Sequence, residues 1–428
     1  MNEKEFQKIL PKIKRILTFV IEDPHSDFYR RKYSNLNIDP EAIQTYADFC
    51  CIPYLTKDEI LSIPFDKRSF ADGKEIIRYG ISSGSTSQNK PLILPHLVIN
   101  KQEDGVGSHD EVFIKSLGVK KILGLLPVNS MIQKIQLGGK LAIPIIQIEL
   151  NKMDLAVNLT METGLEGIIS APTILYIFTE KLRATSFDRN IIKWISIGTE
   201  VCTVQKLEYF KKYYPKAFIE IRYGNSEAGA NIGYRCKFLE QKELNPQIFH
   251  PNDMNLIEIT PDENLNSNTG EVVFTHLYKE AFPLIRYKTG DFATETESSC
   301  ECGQKRTMTT HGKHAFDVLK TSGVIIHSQA ITNALEAVNK HIELEFEMHV
   351  YEESFNDKIR TRLVLKLKPK IDRESEQRVA SVIEKNLYLS QDKIMTDLVK
   401  EGLFYPLMVE YVTSFETAPK QKHIISHL

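Results

Sequence analysis

The chain has 428 residues, 42% hydrophobic and 26% charged, which is ordinary globular composition and enough for two domains. Its 54 basic and 56 acidic side chains give a formal charge of −2, so no overall basic field argues for nucleic acid. No apolar run is long enough to span a bilayer, and Met1-Asn-Glu-Lys-Glu-Phe lacks the basic-then-apolar pattern of a signal peptide, so no membrane partner is expected.

Six cysteines in a chain this long do not make a disulfide scaffold, and a reducing, cytoplasmic setting is expected. Residues 1–70 read as helical: Phe6, Ile9, Leu10, Ile13 and Ile16-Leu17 recur at helical spacing, and Thr56-Lys-Asp-Glu-Ile60 has the form of a capped helix start. Residues 75–310 alternate short apolar runs with amphipathic stretches. The runs include Lys121–Pro127, Leu141–Ile146, Gly167–Ala171 and Trp194–Gly198, with helical segments at Ile174–Leu182 and Val204–Tyr214 between them. That alternation predicts α/β architecture with mixed sheets. Residues 298–314 are polar and read as a linker. Beyond them a helix is expected over Ser328–Val338, a strand pair over Leu344–Tyr351 and Arg360–Leu367, a helix over Glu374–Leu387 and a strand over Pro406–Val412.

Four pieces carry chemistry. After the strand-like Ile76–Ile81, Ser82-Ser83-Gly84-Ser85-Thr86-Ser87 puts five hydroxyls and a glycine in six residues, followed by Lys90. Such a donor-rich loop suits a polyphosphate, although it lacks Walker spacing and taken alone reads first as a surface Ser/Thr-rich turn. Gly198-Thr199-Glu200 ends the run from Trp194. Tyr223-Gly224-Asn225-Ser226-Glu227 ends the strand-like Phe218–Arg222: a tyrosine there can stack on a base, and a hydroxyl followed by a carboxylate can hold a phosphate oxygen and Mg²⁺. The bland alternative is a capped helix start. Thr269–Asp291 begins as an alternating strand and closes in Tyr287-Lys-Thr-Gly-Asp291, a glycine turn whose carboxylate can accept from two vicinal hydroxyls. Ligands of open α/β sheets collect at such strand ends.

In this order the pieces resemble the adenylate-forming (ANL) superfamily, and most of all its phenylacetate–CoA ligase-like branch. The branch's signature is similar to Gly270–Thr275 followed by Lys279-Glu-Ala-Phe-Pro-Leu-Ile-Arg-Tyr-Lys-Thr-Gly-Asp291, and its N-terminal pattern to Phe28-Tyr-Arg30 and Pro53–Asp58. The resemblance covers nearly the whole chain. It implies a large N-terminal mixed-sheet α/β domain, residues 1–312, that binds ATP/AMP and substrate, and a small mobile α+β C-terminal lid, residues 313–428.

It also implies an acid–thiol ligase using ATP, Mg²⁺ and coenzyme A. A small, aromatic or related carboxylic acid would become an acyl-adenylate and then a thioester. The alternatives are transfer to an amine or carrier-protein thiol, or a nucleotide-binding relative without catalysis. No carrier motif follows, so a stand-alone enzyme is expected, with a homodimer allowed. By resemblance, Ser82, Ser83, Gly84, Ser85, Thr86, Ser87 and Lys90 grip the β- and γ-phosphates. Gly198, Thr199, Glu200, Gly224 and Asn225 line the nucleotide, and Tyr223 stacks on adenine. Ser226 and Glu227 address the α-phosphate and Mg²⁺, and Asp291 holds the ribose. The substrate pocket falls between 124–145, 167–173 and 198–229.

The family's catalytic lysine follows a Pro-x-x-x-x-Gly-Lys pattern. Here Thr417–Ile424 lacks the glycine, leaving Lys422 as candidate and Lys420 as second. At the hinge, Lys313 stands for the family's arginine unless the alignment runs from Gly323, which puts His314 there.

Cys236, His250, Cys300 and Cys302 form another constellation. Cys236 follows one of the strand ends assigned to the nucleotide and Cys300 and Cys302 follow another, so these segments could meet in space, and three thiolates with an imidazole suit a tetrahedral structural Zn²⁺. Some relatives in the branch bind zinc at similar places; the alternative is unpaired loop thiols and a surface histidine. Cys50-Cys51 read as packed thiols, Trp194 as core and Lys211-Lys212 as a solvated face, while His96 and His109 could line a pocket but read first as ordinary surface or core histidines.

Overall fold

The structure is a computed structural model that describes residues 3–23, 27–33, 38–69, 76–81, 91–97, 109–126, 143–228, 231–242, 245–261, 268–278, 280–313, 318–372, 374–389, 393–415 and 424–428. The N-terminal layer is helical, as its periodicity predicts. The helix Glu3–Glu22 buries Phe6, Leu10, Ile13, Ile16, Leu17 and Val20. Short helices Tyr46–Cys50 and Lys57–Leu61 both open with capping boxes, Thr45 with Asp48 and Thr56 with Glu59. Tyr29 donates to the Pro283 carbonyl at 2.5 Å, fixing this layer to the segment that leads to Asp291.

Strands β1 (Ile76–Ile81) and β2 (Ile93–Leu97) form an antiparallel hairpin. The main sheet contains β3 (Ile122–Leu125), β4 (Ile145–Gln147), β5 (Gly167–Ser170), β6 (Trp194–Ile197), β7 (Phe218–Gly224), β8 (Asn231–Tyr234), β9 (Ile248–Pro251), β10 (Asn255–Pro261), β11 (Thr269–His276), β12 (Tyr287–Glu297) and β13 (Arg306–Lys313). Their order is β10-β11-β12-β13-β9-β8-β7-β6-β5-β3-β4. From β4 to β7 the pairing is parallel, and the strands are apolar on both faces because helices such as Pro172–Arg183 and Val204–Tyr213 cover them. From β7 to β10 it is antiparallel. The mixed-sheet expectation holds.

Within the stretch read as a linker, Arg306–Lys313 is instead β13, paired with β12 on one side and β9 on the other. Threonines make this strand polar in composition while Thr307, Met308 and Thr310 are buried, so its low apolar content concealed β-branched strand formers.

A second core, from Leu319 to Ile424, shares no buried residue with the first. It holds the pair β14 (Val318–Thr321) and β15 (Val324–His327) and a sheet ordered β18-β17-β16-β19. In that sheet β16 is Ile342–Phe355, β17 Lys358–Pro369, β18 Met408–Tyr411 and β19 Ile424–Ser426. Helices Ser328–Leu335 and Glu376–Glu384 lie where the apolar periodicity put them. Among the described residues, no helix is long and apolar enough to cross a membrane.

Candidate active site

The parallel strands end side by side, and β7 is where parallel pairing gives way to antiparallel. Gly198 follows β6 and donates to the Ser170 carbonyl at 3.2 Å. A Cβ there would lie 3.3 Å from the Arg222 carbonyl, so glycine lets the Gly198–Glu200 turn approach the end of β7. Thr199 has φ +70°, a strained conformation for a β-branched residue of the kind that clusters at functional sites. Glu200 turns inward. It accepts from the Thr173 hydroxyl and, at 3.3 Å, from the Gly323 N–H, with the Lys206 ammonium at 3.8 Å.

Lys206 also pairs with Glu352 of β16 at 2.7 Å, and Thr203 donates to the same carboxylate. Burial pushes the Lys206 ammonium down, but Glu352 and Glu200 outweigh it and hold it above the ordinary lysine value. The two cores are therefore joined by a buried charge cluster that includes Glu200.

Tyr223 and Asp291 meet. The Tyr223 hydroxyl donates to Asp291 Oδ2 at 3.0 Å, and its ring lies 5.7 Å from that of Phe249. Three strands separate β7 from β12 in the sheet. At the usual strand spacing a flat sheet would hold them roughly 19 Å apart. The antiparallel half therefore curls over, closing Asp291 onto the end of β7. The strand does not close in a turn at this point as the sequence suggests: β12 runs on through Asp291, and Gly290, at φ +75°, sits in a bulge opposite the Glu271–Val273 stretch of β11, its N–H donating to Glu271 at 3.0 Å. Burial, then Asp291, push the Tyr223 phenol well above its ordinary value. Burial, then Glu227 and Asp291, do the same to Tyr287. The Glu227 and Asp291 carboxylates thus both lie near the Tyr223 and Tyr287 phenols.

The Asn225–Ala228 turn is held through its backbone. Asn225 Oδ1 accepts from Ala228 N at 2.8 Å, and the Ala228 carbonyl accepts from Tyr278 Oη at 3.0 Å and His276 Nε2 at 3.1 Å. The Ser226 carbonyl lies 3.0 Å from His96 Nε2, whose other ring nitrogen is 3.2 Å from Glu280. His276 and Tyr278, between the two parts of the sequence signature, thus hold one side of this turn, and Glu280 reaches the other through His96. His96, which the sequence allowed as a pocket-lining residue but favoured as an ordinary histidine, packs against this turn; its partner Glu280 lies 184 positions away, which spacing could not reveal.

Arg286 anchors the base of β12. Its guanidinium contacts both Glu258 oxygens, at 3.1 and 2.8 Å, donates to the Cys50 and Ile52 carbonyls, and lies 4.2 Å from the centre of the Tyr54 ring. Its φ of +48° is strain that these contacts hold in place. Main-chain bonds from Leu55 to Arg286 and from Lys288 to Leu55 extend the attachment. Lys313 stands directly across the ladder from Asp291. Ser82, Ser83, Gly84, Ser85, Thr86, Ser87, Lys90, His314, Lys420 and Lys422 lie outside the described residues.

Cys236, His250, Cys300 and Cys302 converge, with all four ligand atoms within 4.8 Å of one another. Cys236 Sγ is 3.5 Å from Cys300 Sγ and 3.6 Å from His250 Nε2, and Cys302 Sγ is 3.4 Å from His250 Nε2. A tetrahedral zinc with ordinary bond lengths needs edges of about 3.8 Å between sulfurs and about 3.5 Å from sulfur to nitrogen. His250 Nδ1 donates to the Arg306 carbonyl at 2.8 Å, which leaves the Nε2 lone pair for the centre. Burial pulls the imidazole below its ordinary value, toward the neutral ligand form. Burial also pushes the Cys302 thiol up to about 12, with Cys300 and Cys236 adding to it. Cys300 moves the other way: burial pushes it up, but hydrogen bonds from Cys302 and Cys236 outweigh that. Thiols this close compete for one negative charge unless a cation joins them, so the donor set fits a closed N/S metal site.

No family model matches the chain. It is similar to the phenylacetate–coenzyme A ligase of Thermus thermophilus, 24% identical over 349 residues covering 76% of this chain and 74% of that one. Against the phenylacetate–coenzyme A ligase of Pseudomonas putida the identity is 23% over 362 residues, covering 79% and 77%. Among solved structures it resembles a 2-hydroxyisobutyryl-CoA ligase bound to its acyl-adenylate and coenzyme A in the thioesterification state. The TM-score is 0.64 and the identity 16%, covering 99% of this chain and 90% of that one. The same enzyme in a postadenylation state gives a TM-score of 0.62. The fold is that of these 2-hydroxyisobutyryl-CoA ligase structures.

Proposed function

We infer that the chain is an AMP-forming acid–CoA ligase of the phenylacetate–CoA ligase-like branch, activating a small carboxylic acid with ATP and passing the acyl group to coenzyme A. The observation that carries this is the closure of Asp291 onto Tyr223 beside the Ser226–Glu227 turn, at the switch from parallel to antiparallel pairing. The names of its relatives, ligases of phenylacetate and 2-hydroxyisobutyrate, agree with it.

In the first step the substrate carboxylate attacks the α-phosphorus, a P–O bond breaks and pyrophosphate leaves. In the second, the thiol sulfur attacks the acyl carbon and AMP leaves. Negative charge builds at the α-phosphate in the first step, so the protein acts by positioning and electrostatics. We assign the ribose hydroxyls to Asp291, the base to the face of Tyr223 and the Gly198–Glu200 turn, and the α-phosphate to Ser226. Glu227 would hold Mg²⁺, which neutralises phosphate charge. Ser82–Ser87 and Lys90 take the outer phosphates, and Lys422 enters from a lid of residues 313–428.

We also assign a structural zinc to Cys236, His250, Cys300 and Cys302, stapling the start of β13 to β9 and to the segment after β8. The apolar strand ends near 167–173 favour an aryl or alkyl acid. ATP and coenzyme A as co-substrates fit a cytoplasmic enzyme.

The test is acid-dependent exchange of labelled pyrophosphate into ATP, with phenylacetate, benzoates, short hydroxy acids, alkyl acids and amino acids. The reading expects exchange with at least one of the first four classes. ATP binding without exchange for any acid supports a nucleotide-binding relative instead.

A further inference from the structure

His96 lies on β2, is 1% exposed, and stands between two acceptors. Nε2 is 3.0 Å from the Ser226 carbonyl oxygen, and Nδ1 is 3.2 Å from Glu280 Oε2. Glu280, also 1% exposed, takes backbone N–H groups on its other oxygen, from Leu97 at 2.5 Å and Ala281 at 3.1 Å. Those donors favour the ionised carboxylate. A carbonyl oxygen only accepts, so Nε2 carries a proton; an ionised carboxylate only accepts, so Nδ1 carries one too. With Glu280 ionised, the ring carries both protons and forms with it a buried pair of zero net charge.

The room for this ring is built in. A Cβ at Gly80, on the neighbouring β1, would lie 2.5 Å from His96 Nε2 and 3.1 Å from the Ser226 carbonyl. Only glycine leaves the ring and the carbonyl in contact. On the other side of Glu227, the Ala228 carbonyl is held by His276 and Tyr278. The backbone is therefore gripped on both flanks of Glu227 by buried donors: one from the β1–β2 hairpin and two from the segment that also supplies Glu280.

We propose that His96 is a positioning residue for the adenylation half-reaction: clamped by Glu280, it holds the Ser226 carbonyl and so sets the Ser226–Glu227 turn relative to the β1–β2 hairpin. The role rests on the ligase reading above. It concerns the step in which charge builds at the α-phosphate, and thioester formation from a finished adenylate does not draw on it in the same way.

Two measurements on the full chain test this. The first is ¹⁵N NMR of histidine-labelled protein, with the His96→Gln spectrum giving the assignment; both ring nitrogens of His96 should be protonated at neutral pH. The second compares half-reactions, using the best acid from the exchange panel and its chemically prepared acyl-adenylate. His96→Ala should lower the kcat of pyrophosphate exchange about 100-fold, the scale of a misplaced reacting group. The KM for ATP and the rate of thioester formation should each change less than about 5-fold, a bound set by the same positional argument. Because His96→Ala strands a buried carboxylate, the doubly neutral His96→Gln/Glu280→Gln variant guards against simple unfolding. It keeps a donor near Ser226 and should recover exchange to within about 10-fold of wild type. A neutral ring, unchanged exchange, or equal loss in both half-reactions in a folded variant overturns the proposal. Absence of exchange in the wild type overturns the ligase reading, and this role with it.

Discussion

Tyr223 donates its hydroxyl to Asp291 at 3.0 Å although three strands lie between them in the sheet. The contact records how far the antiparallel half curls, and it orients a carboxylate beside the turn that ends β7. If Asp291 is the ribose anchor, the tyrosine aims it.

Asp291→Asn should therefore raise the KM for ATP by about 10-fold or more, with a smaller effect on kcat, since hydrogen bonds to a charged acceptor contribute about 1.5–3 kcal/mol. Tyr223→Phe should act in the same direction but less. Steady-state kinetics with ATP varied is the check; an Asp291→Asn enzyme with ATP dependence within twofold of wild type removes the ribose assignment.

Lys422→Ala should depress pyrophosphate exchange by about 100-fold or more, the scale of losing one charge-stabilising group. Thioester formation from preformed acyl-adenylate should fall much less. Lys420→Ala is the internal comparison. A selective loss in Lys420→Ala instead moves the role there, and no loss in either excludes this tail as the source of the lysine.

Protein purified without chelator should carry close to one zinc per chain. Cys300→Ser should lose it and melt at lower temperature, because binding energy at a closed site is also folding energy. Metal content below about a tenth of an equivalent in the unmodified protein rules the assignment out.

The cluster between the cores makes a stability prediction. Lys206 neutralises Glu352 and faces Glu200, with all three side chains almost fully buried. Lys206→Met leaves carboxylates without a cation and should cost about 3–5 kcal/mol, the usual penalty for breaking a buried pair from one side. Chemical denaturation measures it. Glu352→Gln keeps polar contacts to Thr203 and Lys206 and should cost less; a Lys206→Met protein as stable as wild type shows that the cluster does not hold the cores together.

Much of this was legible in the sequence because it is local. Capped helix starts and the strands ending at Gly198 and Gly224 each announce themselves within a few residues, whereas the glycine before Asp291 marks a bulge inside β12 rather than the strand end its composition suggests. The polar strand Arg306–Lys313 was misread because its burial comes from threonines and one methionine rather than a run of apolar residues. His96 with Glu280, and Lys206 with Glu352, were invisible for a different reason. Each is a buried charge whose partner arrives from a distant segment, and no periodicity encodes that pairing. The convergence of Cys236, His250, Cys300 and Cys302 lies between these cases: ligand chemistry suggested it, and the curl of the antiparallel half supplies the geometry.

The central claim is acyl-adenylate formation followed by transfer to coenzyme A. Its most direct measurement is mass-spectrometric product analysis of the purified chain with ATP, Mg²⁺, coenzyme A and the acid panel. The account predicts one acid, phenylacetate or another small aryl or alkyl acid, that yields its CoA thioester with AMP released in equal amount. AMP release that is independent of coenzyme A, or no thioester and no AMP from any acid while ATP still binds, would contradict it.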